Sequence, residues 1–287
     1  MPPAEIRLMA PRDVGECSCV FRDALAGLWE SLGLGAYDFT SRLDGGVSHV
    51  LGTDPLGSFV AVDEHDRVIG FAQAALRGEL WVLAHLFVSP EAQGLGIGGR
   101  LLDATVEFRG AAPAGIIAAT PDPSAIRSYA RLPGFEVHPM LQATGKVDPG
   151  FAPRLDGVRE GTEADHEFAA HVDRTLRGGA HGPDLIYHLA QGSTLLVLPD
   201  RGYAVAGASG PNMVAALDPE AGSRLFAASL AHCGPGRDVA VKRIGASHQW
   251  AFAVAIEARL ELRPWGPLIT HNSSAARSVY LPDSAFC

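Results

Sequence analysis

The chain has 287 residues, 47% apolar, 19% charged and 7% aromatic, a composition that buries a sizeable core and excludes disorder as the dominant state. At roughly 100 to 200 residues per domain, this length holds one large domain or two ordinary ones. A formal charge of -9, from 32 acidic against 23 basic residues with no run of Lys or Arg, argues against a dedicated nucleic-acid binder or a polybasic membrane anchor. The start, Met1-Pro2-Pro3-Ala4-Glu5-Ile6-Arg7, lacks a basic segment followed by an apolar one, and no stretch approaches the ~18 uninterrupted apolar residues of a membrane span. Cys17, Cys19, Cys233 and Cys287 offer neither a CxxC pair, a disulfide framework nor zinc-ligand spacing. A cytoplasmic, metal-free protein is expected.

Three apolar segments follow closely, Ser58 to Asp63, Arg67 to Leu76 and Leu80 to Val88, joined by short polar connectors that predict an antiparallel meander. Gly94 to Phe108 carries apolar residues at Leu95, Leu101, Leu102, Val106 and Phe108, near a 3.6 period, and reads as a helix with one buried face. Gly115 to Thr120 is a short buried strand. Pro121-Asp122-Pro123-Ser124 then starts a helix, since an Asp or Ser oxygen caps free amides and Pro fits the first turn. It runs to about Leu132, Pro133-Gly134 stops it, and a strand follows at Phe135 to Pro139. The order β-β-β-α-β-α-β predicts an α/β fold, a mixed sheet flanked by helices.

Lys146 to Asp156, with Pro149, Gly150 and Pro153, reads as a linker, and a faint repeat crosses it. Ile6-Arg7 followed by Asp13 matches Val158-Arg159 followed by Asp165 at the same seven-residue spacing. Phe87-Val-Ser-Pro-Glu-Ala92 resembles Ala216-Leu-Asp-Pro-Glu-Ala221, and Ala130-Arg131-Leu132 matches Ala258-Arg259-Leu260, in the same order. Two tandem domains of one fold are expected, residues 1–147 and 148–287.

The strongest chemical signal is Gln93-Gly94-Leu95-Gly96-Ile97-Gly98-Gly99, between a strand and a helix. Successive glycines let backbone approach closely, and a helix start offers unpaired N–H groups and the positive dipole end to an anion, so a phosphate or pyrophosphate is the natural ligand. The alternative is a glycine-rich helix start that binds nothing. Gly94-x-Gly96-x-x-Gly99 also fits the dinucleotide fingerprint, but Ser89 to Gln93 separate it from the strand and the preceding strands are antiparallel. A Walker loop fails because no Gly-Lys-Ser/Thr follows.

These residues resemble the GNAT superfamily of acetyl-CoA-dependent N-acetyltransferases, whose signature Gln/Arg-x-x-Gly-x-Gly/Ala is met by Gln93-Gly94-Leu95-Gly96-Ile97-Gly98. Ala125-Ile-Arg-Ser-Tyr129-Ala-Arg-Leu-Pro-Gly134-Phe135 is similar to the family's Ala-x-x-x-Tyr-x-x-x-Gly-Phe segment, with one residue inserted near Pro133. The resemblance covers residues 1 to about 145 well and the second half as a degenerate copy. There Ala221 to Arg224 spans three positions where Ala92 to Arg100 spans eight, and Glu257 stands where Tyr129 would, so that half is expected to be silent.

The resemblance implies acetyl-CoA as co-substrate and direct attack by a primary amine of a small molecule or amino terminus. Leu86, Phe87 and Val88 would pair with the pantetheine, a backbone N–H near Val88 would hold the oxyanion, and Gln93 to Gly99 the pyrophosphate. Asp122 would be a further cofactor contact, in place of the family's frequent Asn. Tyr129 is the matching proton donor to the leaving thiolate, or else a tyrosine that packs between helix and sheet. For the base, Glu79 and His85 both lie on or beside the fourth strand, and histidine titrates ordinarily nearer neutrality. His85 is otherwise a hydrogen-bonded core residue. A non-catalytic acetyl-CoA-binding regulatory module is the alternative function, which would need the loop but not Tyr129.

Other constellations carry less. Asp165-His166-Glu167 with His171 lacks an i, i+4 His pair and reads as a solvated helix face. Gly207-Ala-Ser209-Gly210 is one residue short of a nucleophile elbow and reads as a turn. Arg177-Gly-Gly-Ala-His181-Gly-Pro-Asp184 is a lid, a substrate contact or a connector. Asp44-Gly-Gly-Val-Ser-His49 and Thr53-Asp-Pro-Leu-Gly57 sit where the family varies its acceptor pocket, and their acidity favours a cationic amine. The second half, rich in apolar segments such as Trp250 to Leu262, would wall that pocket or mediate a homodimer.

Overall fold

The computed structural model describes residues 4–33, 43–283 and 285–287, so Met1 to Pro3 of the opening segment lie outside the described residues. The first half runs β1 (Glu5–Leu8), α1 (Val14–Ser31), α2 (Leu43–Thr53), β2 (Ser58–Val62), β3 (Val68–Arg77), β4 (Leu80–Val88), α3 (Ile97–Arg109), β5 (Ala114–Ala118), α4 (Pro123–Tyr129) and β6 (Glu136–Lys146). The second half repeats that order as β7 (Arg159–Glu160), α5 (His166–Arg177), α6 (Pro183–Ala190), β8 (Thr194–Leu198), β9 (Gly202–Gly207), β10 (Gly210–Ala216), α7 (Pro219–Cys233), β11 (Asp238–Gly245), α8 (Gln249–Glu257) and β12 (Glu261–His271). A short β13 (Tyr280–Leu281) follows.

The faint sequence matches are structural. Arg7 forks onto Asp13 at 2.7 and 3.0 Å, and Asp13 Oδ2 also accepts the Ala10 amide at 2.7 Å. Arg159 forks onto Asp165 at 2.9 and 2.6 Å, and Asp165 Oδ2 accepts the Thr162 amide at 2.8 Å. One device, a carboxylate that pins the turn into the first helix and is held by the preceding strand's arginine, thus serves both halves.

Two compact units divide the chain: residues 1–76 with 81–112, and residues 77–80 with 113–287. In the first, the sheet runs β1-β2-β3-β4, with Glu5 opposite Val62 and Ser58 opposite Gln73. Strand alternation sends Val60, Val62, Phe71 and Phe87 toward Cys17 and Val20 of α1 and Val47 of α2. Ala61, Ala72, Leu86 and Val88 pack instead with Ile97 and Leu101 of α3. The helix expected from Gly94 starts at Ile97 because Gly94 and Gly96 both take φ +78°, outside the helical region.

In the second unit one sheet runs β5-β12-β6-β11 and another β13-β10-β9-β8-β7. Every pairing in the first of these is antiparallel, with Ile269 of β12 opposite both Ile117 of β5 and Val137 of β6. The outer strands are repeat equivalents, and so are the inner ones. Each half's last strand therefore lies between the last two strands of the other half. This exchange explains why β6 runs to Lys146, past the expected end at Pro139, and why compactness does not follow the repeat boundary near residue 147.

Residues 77–80, the tip of the β3–β4 hairpin, group with the second unit. A Cβ on Gly179 would stand 2.2 Å from the Arg77 carbonyl oxygen and 2.9 Å from Leu80 Cβ, so only glycine lets the hairpin tip approach. Arg77 is also ion-paired with Asp184. The segment Arg177 to Asp184 is a connector that receives this tip. No helix among the described residues is long and apolar enough to cross a membrane.

Candidate functional site

Beyond β4 the chain is pinned at both ends of a short exposed loop. Ala92 and Ile97 are buried against Leu101, the Ser89 amide donates to the Ile69 carbonyl at 2.9 Å, and Gln93 Nε2 donates to the Val88 carbonyl at 3.0 Å. Between the pins, Gln93, Gly94, Leu95 and Gly96 are exposed. Gly96 caps α3 with no side chain, and the first turn of that helix carries no acid. Its leading amides have no partner within the helix and stand at the positive dipole end.

The glycines leave room there. A Cβ at Gly94, Gly96 or Gly99 would meet nothing within 4 Å, and one at Gly98 only Val88 Cγ2 at 3.6 Å. Gly94 and Gly96 need glycine for their positive φ, but Gly98 and Gly99 do not. Each helical glycine costs about 1 kcal/mol relative to alanine, and the chain's own packing gives no reason for these two. Open space, free amides and absent acids fit a pyrophosphate.

The equivalent helix start in the second half is closed. Asp218 caps α7, its Oδ1 accepting the Ala221 amide at 3.0 Å, and Glu220 stands in the first turn. Arg201 forks onto Asp218 at 2.9 and 2.6 Å. Gly222 is there for packing, since a Cβ would come within 2.4 Å of Val279 Cγ1. The edge of β10 is paired with β13 through Ala215 opposite Tyr280 and Val214 opposite Leu281. At this helix start the Ala221 amide is taken by Asp218, and Asp218 and Glu220 are both paired with Arg201.

His85 lies on the α1 side of β4, among the rings of Phe21, Phe71 and Phe87 with centroids 5.6, 5.9 and 6.4 Å away. It is buried, and its Nδ1 is 2.9 Å from Gln73 Oε1. Gln73 in turn donates to the Val47 carbonyl at 3.0 Å and to Ser58 Oγ at 3.1 Å. The structure makes His85 a hydrogen-bonded interior histidine, linked to α2 through Gln73. Asp44 to His49, expected at the acceptor pocket, forms part of α2, whose Val47 and Val50 are buried. Glu79, the other base candidate, is exposed at the hairpin tip. Gln73 was not singled out by sequence, because a glutamine within an apolar strand carries no motif.

Tyr129 and Asp122 belong to the second unit. Tyr129 ends α4 and is buried, which pushes its phenol above the ordinary range, with the Asp122 charge adding to the effect. Glu257 ends α8 at the equivalent position and is exposed. Asp122 is the N-cap of α4, its Oδ1 accepting the Ser124 and Ala125 amides at 2.7 and 3.3 Å. That engagement fills the capping role expected of it and occupies Oδ1.

Residues 55–137 match the family model of the acetyltransferase (GNAT) domain. The chain carries a GNAT domain. The match spans β2 to the start of β6, including the glycine loop, and the resemblance drawn from Gln93 to Gly98 is borne out. Among solved structures, a Pyrococcus horikoshii protein named as an acetyltransferase is similar over 100% of this chain and 96% of its own, at 14% identity and a TM-score of 0.76. A GCN5-related N-acetyltransferase from Sphaerobacter thermophilus covers 94% of this chain and 96% of its own, at 12% identity and a TM-score of 0.60. A tandem GNAT protein from the clavulanic acid biosynthesis pathway covers 93% of this chain and 98% of its own, at 15% identity and a TM-score of 0.59. At these identities the likeness speaks for the fold, and it extends over both halves. No curated protein matches the sequence.

Proposed function

We propose that the chain is an N-acetyltransferase that moves an acetyl group from acetyl-CoA to a primary amine of a small molecule or amino terminus, using only its first half's cofactor loop. The observation that carries this reading is the contrast between the two helix starts: α3 is glycine-capped, acid-free and open, whereas α7 is capped and lined by its own carboxylates. Bound acetyl-CoA supplies the activated acetyl thioester. Gln93, Gly94, Leu95, Gly96, Ile97, Gly98 and Gly99 would hold its pyrophosphate through backbone amides, with Leu86, Phe87 and Val88 offering strand backbone to the pantetheine.

His85 takes the proton that the amine must lose, and Tyr129 gives one to the departing thiolate. The Tyr129 phenol is protonated at neutral pH, which this role needs, although burial raises its pKa and so makes it a weaker donor. The acidity of the chain supports a cationic acceptor. The protein would work in the cytoplasm. The test is thiol release from acetyl-CoA across a panel of phenylethylamine, putrescine, glucosamine and an alanyl peptide. Turnover with at least one of them is expected. Tight acetyl-CoA binding without turnover on any would instead support the regulatory module.

A further inference from the structure

The polar chain behind His85 has a direction that can be read without seeing a hydrogen. The Val47 carbonyl can only accept, so the Gln73 atom 3.0 Å from it must be Nε2. The Asp54 carbonyl likewise only accepts, so Ser58 Oγ, 3.2 Å away, spends its hydrogen there and turns a lone pair toward Gln73 Nε2 at 3.1 Å. Both amide hydrogens of Gln73 are then committed. Its Oε1 faces His85 Nδ1 at 2.9 Å, and an amide oxygen cannot donate. The proton between them must therefore sit on Nδ1. Turning the amide over would set two oxygens against each other at Val47. Gln73 and Ser58 are fully buried, so water does not loosen the choice.

We infer that Gln73 is a positioning residue that locks His85 in the Nδ1–H tautomer and so makes Nε2 the ring's proton-accepting atom. The inference rests on the reading of His85 as the base for its catalytic consequence, but the tautomer itself stands on the hydrogen-bond chain alone. A neutral histidine has one basic nitrogen, and which one is set by the bond the other makes. Because the chain is anchored on Val47 of α2 and Asp54 just after it, those segments set the base's polarity.

The tautomer can be read on the full-length protein by long-range proton–nitrogen correlation with ¹⁵N-histidine labelling. The His85 signals are identified by their loss in His85→Gln. A protonated-type Nδ1 with a pyridine-type Nε2 is expected, and the reverse pattern, or an average of the two, overturns the inference. Gln73→Met removes the acceptor. It should mix the tautomers and lower kcat about tenfold or more, with the KM for acetyl-CoA unchanged, as for other groups that orient a working histidine. Turnover is read as thiol release with the best acceptor of the panel. If Gln73→Met turns over like the parent while His85→Gln does not, Gln73 is not a positioning residue. If His85→Gln keeps full turnover, the base reading falls, and the spectrum still decides the tautomer. Should Gln73→Met fail to fold, the parent spectrum decides.

Discussion

Arg77 and Asp184 meet in a two-pronged ion pair, Nε to Oδ2 at 2.6 Å and Nη2 to Oδ1 at 2.7 Å, with side chains only 5% and 1% exposed. The residues are 107 positions apart in sequence. A buried pair of this kind adds little over an apolar pair, but losing one partner takes the opposite charge away from the other. Asp184→Asn or Arg77→Met should each destabilise the protein by about 3–5 kcal/mol. The double variant should be less unstable than the sum of the two. Urea unfolding of all three proteins measures this coupling, and additive effects would show that the pair is not a unit.

The strand exchange makes a second expectation concrete. A fragment of residues 1–148 keeps β5 and β6 but loses β12, which lies between them, and β11, which covers the far edge of β6. Two strands would be left without their partners, an aggregation hazard. We expect the fragment to be insoluble or to lack protected amides in β5 and β6 by hydrogen exchange. A soluble, monomeric fragment with full turnover would show that the exchange is dispensable.

The glycine loop was legible in sequence because its signal is local: four glycines within six residues stand out wherever the chain goes, and two of them, Gly94 and Gly96, take a positive φ. The repeat was legible at Arg7 and Asp13 because one hydrogen-bonded device tolerates few substitutions. What stayed hidden was long-range. Nothing in Glu261 to His271 says that it pairs with β5, since strand alternation fixes a face and not a neighbour. The role of Gly179 depends on a carbonyl from residue 77, and that of Gln73 on a carbonyl from α2. The helix start at Pro121 to Ser124 was legible because capping is local, and of the Asp and Ser offered there it is Asp122 that caps α4.

Gly99 separates binding from folding. Its φ is ordinary and a side chain there meets nothing, so Gly99→Glu should fold as well as the parent and gain up to about 1 kcal/mol in the helix. The new carboxylate would oppose a pyrophosphate. Calorimetry should show one acetyl-CoA per parent chain and none for Gly99→Glu, with an unchanged or higher melting temperature. Gly96→Glu should also lose binding but melt lower, because φ +78° strains a side chain. Two sites per chain, or normal affinity in Gly99→Glu, would remove the loop from the cofactor site.

His248 gives the fold a pH dependence. It is fully buried, its Nδ1 accepts the Gly245 amide at 3.0 Å, and burial pushes the imidazole down to about 4. Unfolded histidine titrates near 6.5, so between these values the unfolded chain holds a proton that the folded one refuses. Stability is thus complete above about pH 6.5 and falls toward pH 4 by up to about 1.4 kcal/mol per unit. His248→Asn keeps an acceptor for the amide and a good cap for α8. Its unfolding free energy should be flatter across this window, and an identical slope would assign the effect to other groups.

Tyr129 carries the sharpest test of the proposed chemistry. Its hydroxyl is held protonated by burial and by the nearby Asp122 charge, so it has a proton to give but is a weaker acid than a free phenol. A purely packing tyrosine would tolerate loss of that hydroxyl, since phenylalanine keeps the ring that fills the interior. Tyr129→Phe should lower kcat on the order of 10²-fold, the range for losing a positioned acid, while calorimetric affinity for acetyl-CoA stays the same. The Asp122 cap is untouched by this change, so α4 should keep its helicity and the melting temperature should move little. Single-turnover measurements make the chemical step visible. If the variant stays within about threefold of the parent there, Tyr129 only packs, and solvent protonates the thiolate.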